Sequence, residues 1–221
     1  QKKAILELDP KNVDTIAEKF DFNSLDCGHG ISPVLCLHAS RINHQCPFTD
    51  NCCHYWIRDH KIKLIYAKRD IKSGEELTLS YINSFDNYGE LKDKWGIECT
   101  CESCNNQENL LFYRKLIKLS NFTINESIDV KLRIDGCYKL LNLFLEKNIP
   151  LLMYQRTYWD LHILYLELQE WNKSIELLYK CLDIENEIVG SEFSTVNSTL
   201  LKQRILLLEP KLYNDLDQNQ V

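Results

Sequence analysis

Three cysteines stand in the spacing Cys99-x-Cys101-x-x-Cys104, followed by the polar pair Asn105-Asn106. A loop this short cannot cover three sulfurs with apolar side chains, which argues against incidental core packing. A tetrahedral zinc, at about 2.3 Å per sulfur, would accept all three thiolates and require a fourth ligand. Cys52 and Cys53, beside His54, are candidates for that position. Cys27, Cys36, Cys137 and Cys181 sit among apolar residues and read most simply as small core side chains. Two further segments combine polar and aromatic groups that could do chemistry, Asn43-His44-Gln45-Cys46 and Gly74-Glu75-Glu76-Leu77-Thr78-Leu79-Ser80-Tyr81.

The elements that must position these groups change character along the chain. Residues 4–20 read as helical, with Val13, Ile16, Ala17 and Phe20 recurring at helical spacing after Asp9-Pro10. Residues 26–33 hold Gly and Pro and read as a turn. Strands are expected at His54–Ile57 and Lys61–Ala67, and a third at Glu76–Tyr81 with Leu77 and Leu79 on one face. Glu90–Trp95 reads as a short helix before the cysteines. Five helices then follow, at 108–119, 127–146, 151–169, 172–189 and 193–208, with apolar residues three and four apart. Their joins are short, so neighbouring helices should run antiparallel.

Composition bounds the function. The 221 residues carry 44% hydrophobic and 26% charged residues, ordinary for a globular chain able to bury a core. A formal charge of −6 offers no basic excess to displace phosphate counterions, which disfavours nonspecific nucleic-acid binding. An acidic surface suits a Lys-rich protein substrate. No apolar run approaches the roughly 18 residues of a membrane span. Gln1-Lys2-Lys3 meets charge again at Glu7, unlike a secretory signal. Ten cysteines without such a signal point to reduced thiols and metal, and hence to a nuclear or cytoplasmic home.

Read together, the Asn-His-Gln-Cys segment, the Gly74–Tyr81 segment and the cysteine triplet resemble the C-terminal half of a SET-domain lysine methyltransferase with its post-SET segment. The helical tail narrows the likeness to the SET-and-MYND class. The resemblance implies an α+β fold: 1–30 leads helically into the SET core, 31–84 forms the C-terminal half of the SET domain, 85–105 is a post-SET zinc segment, and 106–221 is all-α and tetratricopeptide-like. A plain helical bundle is the alternative for the tail. Motifs carry the likeness over residues 20–104, architecture over the rest.

The same resemblance assigns roles. Tyr81 is the expected catalytic tyrosine. Cys46 becomes the expected fourth zinc ligand beside Cys99, Cys101 and Cys104. S-adenosylmethionine is the expected cofactor, met by Asn23, Ser40, Asn43 and His44. Trp95 and Ile97 flank the position where the class stacks an aromatic on adenine, and Trp95 is the aromatic of the two. A helix cap or turn role is the competing explanation for Asn23 and Ser40. The partner would be a protein with an accessible lysine, on a histone tail or elsewhere, with no direct nucleic-acid or membrane contact.

Methyl transfer from a sulfonium to an amine is an in-line displacement that needs positioning and charge stabilisation, with no covalent enzyme intermediate. The lysine must arrive neutral against a reference pKa of about 10.4. A dry aromatic channel and the nearby sulfonium both favour that form.

Three departures from the class pattern matter. Cys46-Pro47-Phe48-Thr49-Asp50-Asn51 is longer than the usual Cys-x-Pro-Asn, so the backbone should bulge there and Asn51 loses its simple equivalence. Leu25 stands where the class commonly places a Phe, so methyl-state preference does not carry over. The Gly-rich cofactor loop and amino-terminal strands of the class are expected before Gln1. On that expectation these 221 residues hold one side of the pocket and bind cofactor poorly alone. The competing function is a non-catalytic, zinc-stabilised SET and tetratricopeptide-like interaction module. A Gly-rich loop encoded in frame upstream would favour the enzyme. DNA reading through the zinc is disfavoured, because no basic recognition helix accompanies the cysteines.

Overall fold

The computed structural model describes residues 5–8, 15–27, 32–47, 49–58, 60–82, 88–147, 149–192 and 195–218. The chain divides into two compact units, residues 1–113 and 114–221.

In the first unit, helix α1 spans Ile16–Asn23, and its N-cap Thr15 accepts a hydrogen bond from the Glu18 amide. Of the helical expectation over 4–20, residues 4 and 9–14 lie outside the described residues. Lys19 is fully buried on this helix and its ammonium donates to the Leu8 carbonyl. Leu25 and Val34 then form an antiparallel bridge across the expected turn, of which residues 28–31 lie outside the described residues. A 3-10 turn at Ala39–Arg41 leads into β1, Asn43–His44.

Strands β2, Cys52–Ile57, and β3, Ile62–Ala67, pair antiparallel with Cys53 opposite Tyr66 and Ile57 opposite Ile62. The third expected strand shrinks to β4, Thr78–Leu79, and pairs parallel with β1. Leu77 and Leu79 do not share an environment: Leu77 is 47% exposed and Leu79 only 2%. The alternation fails because Leu77 precedes the strand, and the parallel partner lies 35 positions away by register, Asn43 to Thr78. Helix α2, Tyr88–Trp95, ends at Gly96, whose φ of +65° is a left-handed conformation that glycine adopts without a Cβ clash. The Gly96 amide donates to Lys92 and the Ile97 amide to Leu91, turning the chain toward the cysteines. A single turn, α3, spans Glu102–Asn105.

The second unit is helical. Helix α4, Gln107–Ile124, begins in the first unit and ends in the second. It is followed by α5, Val130–Phe144, α6, Leu151–Glu167, α7, Trp171–Val189, and α8, Val196–Gln218. Asp129 caps α5 by accepting from the amides of Lys131 and Leu132. At Gly136 a Cβ would meet the Thr123 side chain at 3.0 Å, so glycine permits the approach of α5 to the end of α4. Late residues of one helix meet early residues of the next, and early residues meet late ones. Phe144 packs on Tyr154, His162 bonds Ser174, and Gln155 bonds Glu185. These pairs make α5, α6 and α7 antiparallel neighbours, as the short joins require. Two apolar clusters hold them, one around Cys137, Leu161 and Leu164, the other around Leu178, Cys181 and Ile205. Helix α8 outruns its expected end at 208 and continues through Pro210.

Candidate active site and metal centre

Cys46 lies two residues past β1, while Cys99, Cys101 and Cys104 follow α2, so one strand end and one helix end must meet to assemble four thiols. They do. The Sγ atoms of all four lie within 4.8 Å of one another. Cys46 stands 3.6 Å from Cys99 and 3.2 Å from Cys104, and Cys101 stands 3.6 Å from Cys104. A tetrahedron of metal–sulfur bonds of about 2.3 Å separates its sulfurs by about 3.8 Å, so the four fit a zinc ion. Among the described residues, this is the one group of three or more His, Cys, Asp or Glu arranged to hold a metal.

The surroundings favour a thiolate at Cys101. Burial pushes the Cys101 thiol up, but hydrogen bonds from the amides of Cys104 and Cys46, and from Thr49, outweigh it and bring the group to about 7. Cys46 is fully buried, packed with Ile82 and Leu91. Cys52 and Cys53, the rival ligands, lie on β2 opposite Ala67 and Tyr66 and outside the four-thiol group.

The extra residues after Cys46 do form a bulge. The Cys46 carbonyl accepts from the amides of Thr49 and Asp50, both at 3.1 Å, and from the Thr49 hydroxyl at 2.9 Å. Thr49 also reaches Cys101 Sγ at 3.7 Å. Beyond the bulge, Asp50 and Lys68 form a buried ion pair at 2.6 Å. Burial still raises the Asp50 carboxyl above its ordinary range, partly offset by the Lys68 charge and hydrogen bond. Asn51, 2% exposed, donates to the Glu76 carbonyl and the Glu75 carboxylate. Thr49 and Asp50 are not legible as site residues, because their partners at Cys101 and Lys68 are distant in sequence.

Tyr81 occupies the centre of the site. Its amide donates to His44 Nδ1 at 3.0 Å and its hydroxyl to the Ile42 carbonyl at 2.6 Å. The ring lies 5.2 Å from the His44 ring and 5.5 Å from Trp95, tilted against both. His44 Nε2 stands 3.2 Å from Cys46 Sγ. Burial pushes the His44 imidazole down to about 4, so the ring is neutral at physiological pH.

Six of the residues singled out in sequence therefore cluster with Tyr81: Trp95, Ile97, Cys46, Cys99, Cys101 and Cys104 all pack around Ile82 and Leu91. The Trp95 indole donates to the Phe22 carbonyl at 3.0 Å, tying α2 to the end of α1. Asn23 and Ser40 meet each other, since the Ser40 hydroxyl donates to the Asn23 carbonyl at 2.7 Å. The Asn23 amide side chain donates to the Lys19 carbonyl one turn back, a helix-terminal role. The Asn43 side chain is engaged by Glu76 at 2.5 Å, on the exposed side of β1.

Residues 6–82 match the family model of the SET domain. That match takes in Asn23, Ser40, the Asn-His-Gln-Cys segment and Tyr81, and stops short of Trp95 and the cysteine triplet. Among known proteins, the chain is similar to the histone-lysine N-methyltransferase SET5 of Scheffersomyces stipitis, 32% identical over 100 residues that make up 43% of this chain and 20% of that protein. SET5 of Meyerozyma guilliermondii is 36% identical over 93 residues, 40% of this chain and 18% of its own. A putative SET domain-containing protein of Acanthamoeba polyphaga mimivirus is 30% identical over 121 residues, 52% of this chain and 45% of that protein. The matched part thus spans about a fifth of the two SET5 proteins.

Proposed function

We propose that the protein is an S-adenosylmethionine-dependent protein-lysine N-methyltransferase of the SET type, with Tyr81 as its catalytic tyrosine. The observation that supports this reading most is the Tyr81 environment: a phenol fastened at both ends, between two rings, within a segment that matches the SET domain. The resemblance of the chain to SET5 histone-lysine N-methyltransferases supports a protein lysine as substrate, a histone tail among the options.

S-adenosylmethionine, when bound, would supply a sulfonium methyl to a lysine that has already lost its proton to water, the nitrogen–carbon bond forming as the sulfur–carbon bond breaks. Tyr81 contributes geometry. Its hydroxyl proton is committed to the Ile42 carbonyl, and a phenol oxygen that donates retains acceptor capacity. That oxygen favours the polarised methyl and an incoming neutral amine over bulk water. Trp95 and Ile97 supply the apolar flank, and Asn23, Ser40, Asn43 and His44 the polar face for the cofactor. Cys46, Cys99, Cys101 and Cys104 hold a structural zinc that joins the post-SET segment to the end of β1. Binding of this kind can contribute about 10–16 kcal/mol to folding.

The finer class is SET-and-MYND-like, supported by the four-thiol group followed by a helical unit, in which α5–α8 are read as tetratricopeptide-like hairpins. The cell compartment is nuclear or cytoplasmic, supported by ten free thiols. The test is radiolabelled methyl transfer by the gene's complete, zinc-loaded product onto histones and other Lys-containing proteins. Incorporation that Tyr81→Phe abolishes supports the reading.

A second reading, an interaction module without catalysis, is favoured by apolar residues on the helical unit's surface, including Leu145 at 77% and Leu207 at 73% exposure. Absence of methyl transfer across a broad substrate set, with partner binding indifferent to Tyr81→Phe, would select it.

A further inference from the structure

The His44 side chain touches both the thiol group and Tyr81. It sits in the two-residue strand β1, pinned by its register with Leu79, and its ring reaches in two directions. Nδ1 receives the Tyr81 amide at 3.0 Å, while Nε2 stands 3.2 Å from Cys46 Sγ. These two contacts settle the tautomer. An amide can only donate, so Nδ1 must be the unprotonated acceptor, and the ring proton resides on Nε2. The N–H at Nε2 therefore donates to the Cys46 sulfur. A sulfur accepts far better as a thiolate than as a thiol, and metal coordination is what keeps a buried thiol deprotonated.

We propose that His44 is a positioning residue that transmits the state of the four-thiol centre to Tyr81: with Cys46 held as a metal thiolate, His44 is oriented to receive the Tyr81 amide, and without it that bond loosens. The geometry closes a small loop. Ile42 accepts the Tyr81 hydroxyl, His44 accepts its amide, and Cys46 anchors the far end of the same five-residue stretch. Loss of the ion frees the end of this stretch, and both of these Tyr81 bonds lie on it. The catalytic meaning of this device rests on the methyltransferase reading above, whereas its structural content does not.

The test uses two readouts that involve no methyl transfer. The first is hydrogen exchange at individual amides, in zinc-loaded and chelated protein. The Tyr81 amide should lose about 2- to 10-fold of its protection on chelation, the equivalent of one hydrogen bond. The Thr78 amide, bonded to Asn51 Oδ1 at 2.9 Å, is the internal reference. Global unfolding would expose both, whereas the coupling moves Tyr81 alone. In His44→Phe, Tyr81 protection should be low with or without metal. The second readout is the visible spectrum of the cobalt-substituted protein. Loss of an N–H···S bond makes a thiolate a better electron donor, so the sulfur-to-cobalt charge-transfer band of His44→Phe should move to longer wavelength. Equal Tyr81 protection in loaded and chelated wild type, or an unshifted cobalt band in His44→Phe, overturns the proposal. An inactive protein that shows both effects would instead overturn the methyltransferase reading and leave this one standing.

Discussion

Asn51 and Thr78 hydrogen-bond to each other in both directions. The Thr78 amide donates to Asn51 Oδ1 at 2.9 Å, and the Asn51 amide donates to Thr78 Oγ1 at 3.3 Å. With the Asn51 side chain also donating to the Glu76 carbonyl at 2.8 Å, one buried amide fastens the bulge after Cys46 to the start of β4. Asn51→Ala removes that side chain and leaves the Thr78 amide and Glu76 carbonyl without it. The expected loss is about 2–4 kcal/mol of stability in the first unit, at about 1 kcal/mol per bond plus the cost of unsatisfied buried groups. Chemical denaturation checks it. An unchanged midpoint would show that the bridge contributes nothing.

The metal stoichiometry should be one zinc per chain. Cys46→Ser should lower zinc retention strongly, because three thiolates and a hydroxyl form a poorer tetrahedron for zinc. Cys52→Ser should leave retention unchanged, since Cys52 stands outside the four-thiol group. Metal analysis after dialysis against a mild chelator separates the two. The reverse pattern would transfer the fourth position to Cys52.

Tyr81→Phe should lower methyl transfer by at least about 100-fold, the scale seen when one polar group serving a transition state is removed. Cofactor affinity should change little, because Phe keeps the ring between His44 and Trp95. Single-turnover transfer and calorimetric cofactor titration measure the two quantities. Retained turnover would remove Tyr81 from the chemistry.

The helical unit should lose stability in mild acid through His162, the one histidine between residues 114 and 221. This ring is fully buried, and burial, helped by the charge of Arg204, pushes it down to about 4. The unfolded chain protonates near 6.5, so between these values it binds more protons than the folded state. Stability is therefore fully present above about 6.5 and falls toward pH 4, by on the order of 3 kcal/mol for a shift of this size. Burial raises Asp160 in the same unit, and that group acts in the opposite sense. The difference between wild type and His162→Gln isolates the histidine. The variant's denaturation midpoint should vary less with pH across this window, and parallel profiles would refute the assignment.

The sequence by itself determined what repeats locally. Apolar residues three and four apart specify α5, α6 and α7 to within a few residues, because a helix bonds its own near neighbours and exposes its pattern in a single window. The hairpin of β2 and β3 was legible for the same reason: its partners adjoin across a short turn. The triplet Cys99, Cys101 and Cys104 announces metal chemistry through spacing alone.

Only the tertiary structure decided what depends on distant partners. Thiol chemistry treats Cys46, Cys52 and Cys53 alike, and it is the fold that brings Cys46, at the end of β1, into one group with the cysteines after α2. The third strand contracted to Thr78–Leu79 because a two-residue parallel ladder is set by its partner at Asn43–His44, and alternation in one segment carries no information about that partner. Asn51 looked displaced by the longer loop after Cys46. The fold instead closes that loop on the Cys46 carbonyl and returns Asn51 to Thr78. A buried polar side chain needs partners, and which partners reach it is settled by packing across the chain.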